Sequence, residues 1–400
     1  MSQESAENGY GMVFREYVRR SVRRALAEAR AAEAGLPAEQ REQALQTLTF
    51  ALDATDAWPE ARDLLVALAP KLDRAGWREE VVPYLLRGIA VSESTGDDLG
   101  LAELRLQLAM VHMVMGKLDE AYGELIASAA DFDRLEDRRN RTRALNRAAY
   151  VARMQRRYPE ATALVATAAA LVEPGDAEEA YGDFVAATLA LDAEDWTRAM
   201  AGFNKSLAGW ERLGDTTMIA RNLTNLGIAL RGAGRAGEAV ACYERAIELM
   251  EQGDDDINVA ATRMNLGNVF WTTGQPARAL EQYRRAELVF RQANDQLRMA
   301  SITQNMGLAY TDLGEFELAQ AMFQTSIEYQ RQRGNRRGIA NSLDGLGVVL
   351  RAQGNPAAAE ATFREALDLL ETLAGQPGTT SLRQEVEEHL REIEERESKR

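Results

Sequence analysis

Between Ala220 and Leu370 the chain repeats itself every 40 residues. Gly227, Gly267, Gly307 and Gly347 mark the period, each preceded by an apolar residue (Leu226, Leu266, Met306, Leu346). A second glycine follows each by seven residues (Gly234, Gly274, Gly314, Gly354), and an alanine follows by twelve (Ala239, Ala279, Ala319, Ala359). An aromatic follows by sixteen (Tyr243, Tyr283, Phe323, Phe363). A period of this length, kept at several positions at once, implies a stack of similar units. Each unit is too small to bury its own apolar faces and is completed by its neighbours.

Within a unit the pattern reads as helix A, a short turn, helix B and a longer turn. Apolar residues at Leu230, Phe270, Tyr310 and Leu350, three after the period glycine, extend the buried face of helix A. The glycine in helix A and the alanine in helix B are expected to let two antiparallel helices approach closely. A helical glycine costs about 1 kcal/mol against alanine, so its recurrence at one spacing implies that packing offsets the cost. Ala220, Ala260, Ala300 and Ala340 do the same at the start of helix A. The aromatic of helix B is expected to fill the space between its own helix A and the next.

Followed in both directions, the period gives eight units over 58–374, at about 60–95, 98–136, 138–174, 177–214, 217–253, 257–294, 297–334 and 337–373. The fourth is shortened by two residues. The glycine between helices A and B is present at Gly76 and Gly116, absent near Arg156, and replaced by Glu194 before Trp196. The longer turns carry Gly96-Asp97, Gly175-Asp176, Gly214-Asp215, Gly253-Asp254, Asn294-Asp295 and Gly334-Asn335. There glycine suits a left-handed helix end, and Asp or Asn suits the cap of the next helix. Residues 1–10 read as disordered. Residues 11–57 read as a helical pair, a cap or a degenerate repeat, with Phe14, Val18, Val22 and Leu26 on the buried face and a basic opposite face from Arg15 to Arg30. Over 380–398 a narrow stripe of Leu382, Val386, Leu390 and Ile393 on a charged helix is what the end of a stack requires.

Composition removes several functions. The formal charge of −15 argues against general nucleic-acid binding. The single cysteine, Cys242, excludes an internal disulfide and leaves no base beside it for a nucleophilic role, so it reads as a core residue. His112 and His389 are the only histidines. No phosphate loop, Ser-His-Asp set or zinc motif is present, and Asp254-Asp255-Asp256 lacks the spacing of a calcium loop. Neither a secretory leader nor an apolar run long enough for a membrane span is visible. The expectation is a cytoplasmic, non-enzymatic protein without metal or cofactor, and the Ala/Arg-rich composition suggests a bacterial source.

The Asn-Leu-Gly signature (Asn225-Leu226-Gly227, Asn265-Leu266-Gly267, Asn305-Met306-Gly307) with Gly-Asp or Asn turns between units resembles the tetratricopeptide repeat. The usual unit is about 34 residues, and the longer helices here resemble its long-repeat branch: Leu-Gly-Asn polarity adaptors, kinesin light chains and bacterial Rap-type peptide receptors. The likeness spans 217–373 most clearly and 60–214 in weaker form. It lacks the usual early aromatic of helix A and the closing proline. It implies an all-α, right-handed superhelical solenoid of antiparallel helix pairs whose A helices line a concave groove for a partner protein.

By that resemblance, the side chain two residues before the signature glycine faces the groove. Those positions hold Arg147, Asn225, Asn265 and Asn305, and an asparagine series there would bond a partner's backbone amides. Asn268, Gln304, Trp271 and Arg231 take further groove-facing phases, Trp271 being equally readable as packing. A second feature is independent of the family. From Arg138 to Arg157 the chain has eight arginines and no acid. Arg143, Arg147 and Arg153 fall on the groove phase, joined two units later by Arg221. Arginines suit bidentate contact with carboxylates, so an acidic partner segment is one expectation. A solvated face paired to Asp131, Asp133, Glu136 and Asp137 is the other. The function expected is a protein-interaction scaffold. The alternatives are a regulator whose superhelix changes pitch on binding a peptide, or the targeting subunit of a separately encoded enzyme. Partner identity and oligomeric state are not written in the sequence.

Overall fold

The structure, a computed structural model, describes residues 3–32, 35–253, 255–376 and 378–398. Among the described residues there are nineteen α-helices and no strand. The chain forms two compact units, 1–193 and 194–400. The first holds α1 (Gln3–Ala31), α2 (Ala38–Ala51), α3 (Trp58–Arg74), α4 (Arg78–Thr95), α5 (Asp98–Val114), α6 (Leu118–Arg134), α7 (Arg138–Met154), α8 (Tyr158–Ala169) and α9 (Ala177–Asp192). The second holds α10 (Trp196–Leu213), α11 (Thr216–Gly232), α12 (Ala236–Met250), α13 (Asp256–Thr272), α14 (Pro276–Gln292), α15 (Gln296–Asp312), α16 (Phe316–Gln332), α17 (Arg336–Ala352), α18 (Pro356–Glu371) and α19 (Thr379–Ser398). In each unit consecutive helices pack as pairs, α5 on α6 or α15 on α16, and each pair packs on the next through contacts such as α6 on α7 and α16 on α17.

The turns explain how the period survives where its glycines do not. Between helices A and B, Gly76, Gly116, Gly234, Gly274, Gly314 and Gly354 all have positive φ. Arg156 (φ 61°) and Glu194 (φ 56°) take the same left-handed conformation, as do Glu136 (φ 56°) and Asn294 (φ 52°) in the longer turns. Beside Arg156, Glu136 and Asn294 the bonding is the same as well. Arg157 N donates to Ala152 O at 2.8 Å, as Arg235 N does to Leu230 O at 2.8 Å beside a true glycine. A side chain in this region costs roughly 1–2 kcal/mol, so at Glu136 and Arg156 the packing of the helices on either side, not local preference, holds the turn closed.

The next helix is then capped by the expected residues. Asp97, Asp176, Asp215, Asp295 and Asn335 each accept from a backbone N–H of the first turn. Gly253-Asp254 departs from the expectation. Gly253 is not among the positive-φ glycines, Asp254 lies outside the described residues, and Asp255 is the residue that caps α13.

The period glycines have a different partner from the alanines expected. A Cβ on Gly227 would lie 2.6 Å from Tyr243 Cε1, one on Gly347 2.5 Å from Phe363 Cε1, and one on Gly307 3.0 Å from the Phe323 ring. Each glycine is thus the slot that receives the helix-B aromatic of its own unit. Phe323 also closes on Gly345 of the following helix A, so it fills the seam on both sides. These rings are at most 1% exposed, and burying each contributes about 1.5–3 kcal/mol.

The two ends also differ from the sequence reading in detail. α1 begins at Gln3, not at Gly11, because the Gln, Glu and Ala residues before it extend a helix readily; residues 1 and 2 lie outside the described residues. From residue 12 onward its first buried side chain is Val18, and Phe14 is 53% exposed and meets the edge of Phe50. Half of its basic face goes to α3, where Arg19 and Arg23 pair with Glu60 and Arg30 with Asp63, while Arg20 and Arg24 pair with Glu16 and Glu28 of α1 itself.

At the other end α19 lays Leu382, Val386 and Ile393 on α17 and α18. His389 Nδ1 meets Asp344 Oδ1 of α17 at 2.8 Å, and its ring stacks near Phe363 of α18. Arg351 of α17 and Glu392 of α19 pair beside it. The bond to Asp344 raises the imidazole pKa above its ordinary 6.5, against burial and Arg351. A raised folded-state value favours the folded form while the ring is charged. The stabilisation is therefore complete below the unfolded value and fades as pH rises through the folded one. Amide exchange of α19 is expected to be slower at pH 6 than at pH 8.5 after correction for intrinsic rates. In His389→Gln that difference should vanish; if it persists, the histidine is not its source.

Candidate partner-binding site

In the first compact unit the A helices α7 and α9 pack on each other, and the arginine run occupies α7 and the turn after it. Most of its charge is already neutralised, chiefly by acids other than those expected. Arg147 grips Glu178 of α9 with both terminal nitrogens at 3.2 Å, its guanidinium 3.4 Å above the Tyr181 ring. Glu178 Oε2 also accepts from Asn146 Nδ2 at 3.1 Å. Arg153 makes a two-pronged bond to Asp192 at 2.6 and 2.8 Å. Arg139 pairs with Asp176, Arg157 with Glu160 and Arg141 with Asp133. Of the acids proposed from sequence, Asp133 alone takes an arginine of the run; Asp131 serves Arg105 and Arg134, and Asp137 caps α7.

Arg138, Arg143 and Arg156 remain without an ion pair among the described residues; Arg138 and Arg156 are exposed to solvent, and Arg143 alone of the three is not. Its side chain is half-buried between neighbours and makes no hydrogen bond or ion pair with a described residue. Burial holds its pKa below the ordinary arginine value. Arg147 and Arg139 add to this, while Glu178 and Glu103 act against it from a distance. Glu103 stands in the same register on α5, six residues after the capping Asp97 as Arg143 is after Asp137. It too is half-buried without an ion pair, and burial pushes its carboxyl up. Neither Glu103 nor Glu178 was singled out from sequence. The short fourth unit puts Glu178 off the 40-residue register, and Glu103 is one acid in a chain with 62.

In the second unit the remaining candidates fall on α11, α13 and α15, whose faces meet through Thr224 and Thr262 and through Asn268 and Asn305. Asn225, Asn265 and Asn305 are all half-buried. They do not form a uniform ladder. Asn225 Nδ2 donates to Arg221 O of its own helix at 2.8 Å. Asn305 Nδ2 donates to Asn268 Oδ1 at 2.8 Å, which also accepts from Tyr283 Oη at 2.8 Å. Asn265 alone of the three makes no hydrogen bond within the described chain. Gln304 Oε1 accepts from Ser342 Oγ at 3.4 Å, and Trp271 Nε1 donates to Asp312 at 2.7 Å. Arg221 is half-buried on α11. Arg231 is exposed near Tyr243 and Tyr283, whose phenols burial pushes up. At the asparagine phase α17 carries Gly345, filled by Phe323, so the series ends there.

Cys242 is half-buried on α12 with its thiol pushed up by burial, which makes it a poor nucleophile. Among the described residues no group of three or more His, Cys, Asp or Glu could hold a metal ion, and no helix is long and apolar enough to cross a membrane.

A tetratricopeptide-repeat family model matches residues 176–252, 219–292 and 298–372. No curated relative matches in sequence. Among solved structures, the apo form of RapI aligns with a TM-score of 0.54 at 18% identity, covering 69% of this chain and 99% of that one. A Rap protein complexed with competence and sporulation factor gives 0.54 at 15% identity, covering 84% and 99%. A signal-transduction ATPase with a tetratricopeptide-repeat sensor, from Pyrococcus horikoshii, gives 0.59 at 14% identity, covering 83% of this chain and 52% of that chain. At these identities the likeness is one of fold.

Proposed function

We propose that the chain, whose residues 176–292 and 298–372 match tetratricopeptide repeats, is a non-enzymatic scaffold taking a segment of a partner protein on its A-helix faces. The observation that carries the reading is Arg143. Burying a cation without a partner is costly, and the fold satisfies most other arginines of the run with acids of its own. A partner carboxylate at Arg143 would supply the missing bond, in a setting where water competes less than at an open surface. The acidic requirement is thus one side chain, not a broad negative face. In the second unit, taken by itself, Asn265 is half-buried with its amide uncommitted and would offer a separate contact to a partner backbone.

Displayed random peptides selected on the full chain test this. Wild-type protein is expected to enrich Asp or Glu at one peptide position, and Arg143→Gln to lose that enrichment while still binding. Equal enrichment on both proteins, or no binders on the wild type, overturns the reading.

A further inference from the structure

We infer that the N-terminal helical pair holds a pocket for a small phosphate ester, walled by Arg41 of α2 and by Lys71 and Arg74 of α3. A cavity of about 390 Å³ opens where the Gly35-Leu36-Pro37 turn leads into α2, and none of its described lining residues is acidic. In a chain of charge −15 whose arginines are mostly ion-paired, three cations around one cavity with no carboxylate among the described lining residues stand apart. Arg41 is the central member. Its guanidinium lies 4.9 Å from the Trp77 ring centroid, which orients it without neutralising it. Its Nε is fully buried and has no hydrogen-bond partner. Lys71 donates to the Ala32 carbonyl and Arg74 Nε to the Pro70 carbonyl at 3.3 Å, bonds that position both cations and leave their charge uncompensated.

The ligand class follows from this arrangement. Donors reach the cavity from two helices and differ in geometry, a planar fork and a point charge. A tetrahedral dianion with several acceptor oxygens satisfies such a set better than one flat carboxylate. The first amides of α2 add to the same side, for Pro37 at the cap provides no side-chain oxygen to them. The cavity is larger than a phosphoryl group alone needs, which leaves room for an organic body. The pocket involves none of the A-helix residues above, so it stands or falls separately from them.

Calorimetric titration of the full chain with inorganic phosphate, a sugar phosphate and a nucleoside monophosphate tests the inference and separates the sources. At least one ester is expected to bind, more tightly than inorganic phosphate, with affinity falling as salt is raised. Arg41→Gln and the exposed Arg74→Gln should each weaken it tenfold or more, while Arg212→Gln on α10 leaves it unchanged. No binding of any probe at millimolar concentration overturns the inference, as does binding that ignores both pocket variants. An inorganic-phosphate affinity equal to that of both esters removes the ester from it. Glu33, outside the described residues, supplies one more arm. Binding that appears only in Glu33→Gln would make the chain's own carboxylate the occupant and would also overturn the proposal.

Discussion

Arg147→Ala is expected to destabilise the first compact unit by about 3 kcal/mol or more, whereas Arg143→Gln, four residues away on the same helix, is expected to leave stability unchanged or raise it. The two arginines look alike in sequence and differ in what surrounds them. Glu178 is 8% exposed, and both of its oxygens are held by Arg147. Truncating the arginine orphans a buried carboxylate and uncovers the Tyr181 ring. Arg143 has no such dependent: its removal relieves a charge that burial already disfavours. Urea unfolding of the full chain, read beside amide exchange of α7 and α9, measures both. Adding Glu178→Gln to Arg147→Ala should recover part of the loss, because the orphan is then neutral. A loss below about 1 kcal/mol for Arg147→Ala, in the range of exposed pairs, would sink the account of Glu178 as a buried, dependent charge. The contrast also bears on function, since only at Arg143 can a charge change be read as a change in binding and not in folding.

The helix pairs were legible because steric constraint writes itself at fixed spacing. Gly227 and Tyr243 recur together at sixteen residues because one is the slot for the other, and the period follows from stacking. The turns at Arg156 and Glu194 were not legible as left-handed. At Arg156 the conformation is imposed by the packed helices on either side, and at both positions a residue of the wrong preference leaves no local sign. The charge pairing was hidden for a related reason. Arg147 meets Glu178 and Arg153 meets Asp192 across helices 31 and 39 residues apart in sequence, one of them off register. Acids close in sequence, such as Asp131 and Asp137, are engaged elsewhere. The asparagine series was legible as a register but not as a set of free amides, because Asn268, three residues from Asn265, captures Asn305.

Gly227→Ala is expected to cost about 1–2 kcal/mol, while the same change at Gly307 should be close to neutral. Alanine improves helix propensity by about 1 kcal/mol at either site, so the difference lies in the slot. At Gly227 the new methyl would sit 2.6 Å from Tyr243 Cε1, 2.7 Å from Cζ and 2.9 Å from Cδ1. Tyr243 is wholly buried, so its ring has no room to withdraw, and overpacking of this kind costs about 1–3 kcal/mol. At Gly307 the three nearest ring atoms of Phe323 are each 3.0 Å away, a strain that a shift of a few tenths of an ångström relieves. A double-mutant cycle isolates the term. Tyr243→Leu alone should destabilise, yet combined with Gly227→Ala it should cost less than the two losses added, because the smaller side chain vacates the slot. Strict additivity in that cycle, or equal effects at Gly227 and Gly307, would mean that the period glycine is kept for something other than the ring that enters it. The slot would then no longer explain why the chain counts in forties.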